Sequence, residues 1–147
     1  MSIPRQTFVI SVNLNTMTGD IPSRVQLPMN LRFPANELIL KSISYANPDG
    51  LAHPDVPDVI QISCNVTNDN LIGSFPNSGF NSFPVFSSLE NHLSISNTFQ
   101  TGNLVLEFQA TDGSLSSCNP QALVSSQAPQ RTFGTVVLTI EFVKNPK

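Results

Sequence analysis

The sequence predicts an all-β sandwich of about eight antiparallel strands. Three observations predict it. Apolar and polar residues alternate with period two in one stretch after another, the pattern of a half-buried strand. Clusters of Asn, Asp, Gly, Ser and Pro separate these stretches and supply turn chemistry. No window repeats apolar residues at intervals of three and four over a helix length, and residues 122–124 have room for one helical turn at most.

The first alternation sets Phe8, Ile10, Val12 and Leu14 against Thr7, Ser11 and Asn13, with Val9 as the apolar intruder on the polar face. The next sets Val25, Leu27, Met29, Leu31 and Phe33 against Arg24, Gln26, Pro28, Asn30 and Arg32. Pro28 has no N–H to give a ladder, so this is an edge strand, or two short strands broken at Pro28. Residues 37–45 are less regular, because Leu38, Ile39 and Leu40 run together. A bulge or burial on both faces accounts for such a run. Ile60, Ile62, Cys64 and Val66 face inward against Gln61, Ser63 and Asn65, and Thr67-Asn68-Asp69-Asn70 turns the chain.

A short strand over 71–75 and a turn over 76–79 follow. Residues 83–89 and 92–99 read as two weaker strands. Leu104, Leu106, Phe108 and Ala110 alternate with Asn103, Glu107 and Gln109 in a strong one, closed by Asp112-Gly113. Residues 114–131 form a long irregular connection. The last strand, over 134–143, points Val136, Leu138, Ile140 and Phe142 inward. The strong first and last strands are expected side by side at central positions, the arrangement of a jelly roll.

With 147 residues the chain is expected to be a single domain, 1–147, with a short polar tail at 144–147. Charged residues make up only 12%, and Ser, Thr, Asn and Gln fill about a third of the chain. Such a surface has weak self-repulsion and permits close association. The composition therefore points to a protein packed against neighbours, with a secreted Ser/Thr-rich β-domain as the alternative. The net charge of −3 and the scattered Arg5, Arg24, Arg32 and Arg131 argue against nucleic acid as a partner. No apolar run reaches the roughly 20 residues of a membrane helix. Gln6, Thr7, Ser11 and Asn13 interrupt any signal-peptide stretch, so neither a membrane nor a secretory route is expected.

Groups with chemical potential are few. His53, Asp55 and Asp58, after Asp49, are the only cluster of His and Asp, but the spacing matches no cation loop, so a solvated turn is expected and no metal. His92 adjoins Glu90 near a strand start, without a nucleophile elbow anywhere in the chain. Glu107 and Glu141 face outward on strong strands, where pairing with a basic neighbour such as Lys41 is the ordinary outcome. No enzyme activity, cofactor or small-molecule ligand is expected. Cys64 reads as a buried small hydrophobe and Cys118 as a free loop thiol, a single bridge requiring an oxidising compartment. Asn65-Val66-Thr67 matches a glycosylation acceptor, which matters only in a secreted chain. Phe75, Phe80, Phe83 and Phe86 crowd a Ser/Asn/Pro loop and either cap an open end of the sandwich or form a contact patch. Apolar intruders on outer strand faces, Val9, Ile39, Val105, Val137 and Val143, suggest a covered surface. The expected partner-contact residues are therefore Phe75, Phe80, Phe83, Phe86, Val137 and Val143.

The opening strand Phe8-Val9-Ile10-Ser11-Val12-Asn13-Leu14, the low-charge Ser/Asn/Thr/Pro texture with turns such as Thr67-Asn68-Asp69-Asn70, and the closing strand Gly134-Thr135-Val136-Val137-Leu138-Thr139-Ile140-Glu141-Phe142 carry a resemblance. The chain resembles the single jelly-roll virion proteins of double-stranded DNA viruses, virophages and related elements, of the minor-capsid, penton or head-domain type. The resemblance implies a non-enzymatic capsid component, made in the host cytoplasm or nucleus and located in the virion. It implies a homo-oligomer, a trimer or pentamer, that packs against other capsid proteins. Trimeric tumour-necrosis-factor-like or lectin-like heads for receptor or glycan attachment share the strand layout. Such trimeric heads carry more Tyr at the trimer axis, and only Tyr45 is present here.

Overall fold

Strand follows strand through the described residues, with no α-helix among them. The structure is a computed structural model, and it describes residues 3–14, 23–46, 59–76, 85–111, 115–117 and 133–146. The strands are β1 (Arg5–Asn13), β2 (Ser23–Ala46), β3 (Val59–Cys64), β4 (Leu71–Pro76), β5 (Val85–Thr111), β6 (Leu115–Ser117) and β7 (Thr135–Val143). Every pairing is antiparallel, in the order β1-β7-β2-β5-β3-β4, with β6 also on β5.

The two long strands explain how one hydrogen-bonded path makes a sandwich. Residues 35–46 of β2 lie between β7 and residues 85–99 of β5, and β1 lies beyond β7. Residues 23–30 of β2 instead pair with residues 101–108 of β5, which pair in turn with β3 and then β4. One half is thus β1-β7-β2-β5 and the other β2-β5-β3-β4. The bend between them falls where the β2–β5 register shifts, between Asn30 and Ala35 and again before Glu37. Pro34 withholds an N–H there. On β5 the bend falls at Gly102, whose φ of 152° is open to glycine and unfavourable for other residues.

The halves meet face to face. A Cβ on Gly73 of β4 would stand 2.8 Å from Leu40 Cδ2 and 3.4 Å from Ile43 Cδ1, both on β2 in the opposite half. The core between them is one cluster, with Leu38, Leu40, Ile43, Leu138, Ile140 and Phe142 from one side and Ile60, Ile62, Ile72, Leu104, Leu106 and Phe108 from the other. Burying each such side chain stabilises the fold by about 1.5–3 kcal/mol.

Several expectations change. The stretches 24–33 and 37–45 are one strand, and 85–89, 92–99 and 103–111 belong to another, because β2 and β5 remain paired on both sides of the bend and no turn intervenes. β1 is not central: among the described residues it pairs with β7 alone and forms an edge. Alternation reports one buried face and is silent on how many strands flank it. The first and last strands do pair, from Arg5↔Val143 to Asn13↔Thr135. Pro28 does lie on an edge, since among the described residues the stretch 23–30 pairs only with β5. The run Leu38-Ile39-Leu40 is buried throughout, and a register shift follows between Leu40 and Ser42. Leu27 is half-buried, because that edge is covered on one side only. Within the stretch expected to be irregular, β6 forms a short hairpin partner for the end of β5, beyond the point where β2 stops.

Candidate functional site

The aromatic cluster is the first place to look for a contact surface. Phe75, at the end of β4, is only 3% exposed. Its ring lies 4.7 Å from that of Tyr45, tilted by 46°. Phe86 pairs with Ser44 on β2 through its backbone. Its side chain, and all of Phe80 and Phe83, lie outside the described residues, as do the His53 cluster and Cys118. Phe75 is thus part of the core. Val143 is 1% exposed, in register between Arg5 of β1 and Glu37 of β2, and belongs to the interior of the chain. Val137 is half-buried between Ser11 and Ser44. Of the outer-face intruders, Ile39 and Val105 are also buried, and Val9 alone stands free, at 69% exposure. Ile39 sits in register between Glu141 and His92, whose long side chains flank it.

That outer face carries a network of charges across four strands. Arg5 on β1 meets Glu141 on β7 at 2.7 Å, and Thr7 Oγ1 donates to the same carboxylate at 3.3 Å. Lys41 on β2 meets Glu90 on β5 at 2.9 Å. His92 on β5 faces two carboxylates, Glu37 through Nδ1 at 3.2 Å and Glu90 through Nε2 at 3.5 Å. Only the imidazolium donates from both nitrogens. The hydrogen bond to Glu37 and then that to Glu90 accordingly raise the His92 pKa above its ordinary 6.5. Lys41, with help from His92, holds the Glu90 carboxyl below its ordinary range, and Glu90 raises Lys41.

The carboxylates therefore pair with bases as expected, but with different partners. Glu141 takes Arg5, Glu107 takes Arg24 at 3.4 Å, and Lys41 takes Glu90. His92, Glu107 and Glu141 do not converge. Glu90 and His92 share a face at a spacing of two, which was visible in the sequence. Glu37 and Lys41 join them through β2–β5 register, which was not. The arrangement orders charge and favours the protonated form of His92.

On the opposite half, Cys64 is buried with a free thiol, and burial pushes its pKa up, so the thiolate needed for nucleophilic work is disfavoured. Next to it, Asn65 extends the β3–β5 ladder with its side chain. Its Nδ2 donates to the Asn103 carbonyl at 3.0 Å, and its Oδ1 accepts from the Val105 N–H at 2.8 Å. The amide that a glycan would need is committed to the sheet. A shallow groove of about 260 Å³ lies beside the following turn, lined by Asn65, Thr67, Ser96, Asn97 and Phe99 among others.

No protein-family model and no curated protein matches the sequence. Among solved structures, one of Desmodium yellow mottle tymovirus is similar over 98% of this chain and 89% of its own, at 12% identity and a TM-score of 0.33. The P-domain of Macrobrachium rosenbergii nodavirus is similar over 97% and 94%, at 10% identity and a TM-score of 0.34. Bacillus endospore appendages that form disulfide-linked pili are similar over 98% and 90%, at 7% identity and a TM-score of 0.32. Likeness at this level assigns no family and no function. Among the described residues no group of three or more His, Cys, Asp or Glu is placed to hold a metal ion.

Proposed function

We propose that the chain is a non-enzymatic structural protein, a jelly-roll subunit that self-assembles and packs into a virion shell as a capsid or minor-capsid component. The observation that carries the reading is the strand order. The halves β1-β7-β2-β5 and β2-β5-β3-β4, with first and last strands adjacent, form the double-sheet arrangement that viral capsid domains and lectins use. This is an argument from fold to function, and it is joined by one from composition. A chain with only 12% charged residues resists close association weakly. A trimeric or pentameric ring, built on cyclic contacts between different faces, and other shell proteins as partners belong to the same proposal. The polar groove beside Asn65 and Phe99 favours a second reading, a lectin-like or tumour-necrosis-factor-like head.

Light scattering after size exclusion, at micromolar concentration and above, tests the first reading. Oligomers that grow with concentration are expected. A 16.0 kDa monomer at every concentration that binds a glycan array would overturn it in favour of the second.

A further inference from the structure

Sheet edges are where this sandwich can meet another chain through its backbone, and the edges differ. Residues 23–34 of β2 carry Arg24, Pro28, Arg32 and Pro34. Residues 85–99 of β5 carry Glu90 and His92, both exposed. β4 is six residues long and holds Gly73 and Pro76. Charge, proline and shortness are the devices that keep edge strands from pairing with other molecules. β1 lacks them. Residues 6–13, Gln6-Thr7-Phe8-Val9-Ile10-Ser11-Val12-Asn13, contain no charge, no proline and no glycine. They are rich in residues that favour strands. Among the described residues β1 pairs with β7 alone. On its other side Gln6 Oε1 accepts from the Arg32 N–H at 3.1 Å, through a side chain of inward parity. At its centre stands Val9, the most exposed large apolar residue among those described.

We infer that β1 is an association edge, and that its occupant is β1 of a second copy, paired antiparallel about a two-fold axis at Val9. This deepens the self-assembly reading and rests on it. The register is self-complementary. Val9 meets Val9, Thr7 meets Ser11, and Arg5 meets Asn13, so no like charges face each other. Arg5 is already satisfied by Glu141 of its own chain. The partner must offer an unguarded, neutral edge strand of its own, and this chain provides one. A two-fold contact closes on itself. It yields a dimer, or a bridge between neighbouring rings where the ring contacts lie elsewhere.

Cross-linking and a charge substitution test the register. In a background where Cys64→Ser and Cys118→Ser remove the native thiols, Val9→Cys should give a disulfide-linked dimer on oxidation. A mixture of Thr7→Cys and Ser11→Cys chains should give the mixed dimer, since facing strand residues lie within disulfide reach. Val9→Lys places two ammonium groups at the axis and should abolish the two-fold contact in light scattering. Because Val9 is exposed, its far-UV circular dichroism should match the parent. A parent that is monomeric throughout overturns both this inference and self-assembly. Oligomers that survive Val9→Lys, with no cross-link at residue 9, overturn the β1 contact and leave self-assembly standing. A different strand on this edge would give that same result.

Discussion

The ring of Tyr45 packs at 4.7 Å, centroid to centroid, on the ring of Phe75, and its hydroxyl accepts the Gly134 N–H at 2.9 Å. One side chain thus joins β2 in one half to β4 in the other and also fixes the residue before β7. Tyr45 is fully buried. Tyr45→Phe keeps the ring contact and strands a buried donor, so it should cost about 1–3 kcal/mol. Phe75→Ala removes the ring and opens a cavity, so it should cost about 3–5 kcal/mol. Urea unfolding of both variants measures the difference. Equal, negligible losses would contradict the contact between the halves.

Gly73 tests the same packing from the other direction. A methyl there meets Leu40 Cδ2 at 2.8 Å, and Leu40 is fully buried with little room to retreat. Gly73→Ala should destabilise by about 1–3 kcal/mol through overpacking. Adding Leu40→Val should recover part of the loss in a double-mutant cycle, because it removes the atoms that clash.

Asn65 links a sequence motif to the sheet. Asn65→Ala leaves the Val105 N–H and the Asn103 carbonyl without their partner and should cost about 1–2 kcal/mol. Asn65→Asp keeps the acceptor and loses the donor, so it should fall between the two in urea unfolding. The same geometry predicts little modification when the chain is expressed through a secretory route, read by mass spectrometry.

The His92 network predicts a pH window. His92 is raised above 6.5, so its contribution is complete below pH 6.5 and is lost as pH rises through the folded value. Glu90 is lowered below 4.5, so its contribution is present above pH 4.5 and is lost as pH falls through its folded value. Together they contribute most between pH 4.5 and 6.5. His92→Gln should flatten the alkaline side of that window in urea midpoints measured across pH. An NMR titration placing His92 at or below 6.5 would contradict the pairing with Glu37 and Glu90.

Thiol titration separates burial from bonding. Both cysteines should react in the denatured, unreduced chain, and Cys64 should react slowly in the native one, because it is 2% exposed and its thiol is held protonated. Fast native labelling at Cys64 would contradict its place in the core.

Period-two alternation by itself determined that this is a β protein and which side chains face inward. Ile62, Phe108 and Ile140, each with a polar neighbour on either side in sequence, stand in the core. Pro28 marked its stretch as an edge by lacking a donor. Pairing of the first and last strands was expected from the jelly-roll arrangement and not from alternation. Tertiary structure decided the rest, because it depends on register between residues far apart in sequence. Only register brings Glu37 to His92 and Glu141 to Arg5, or covers Ile39 and Val143, which alternation alone assigns to the outside. Only the continued pairing of β2 with β5 turns five local stretches into two long bent strands. Only strand order leaves β1 at an edge, because a strand's own residues specify its faces and its neighbours specify its sides.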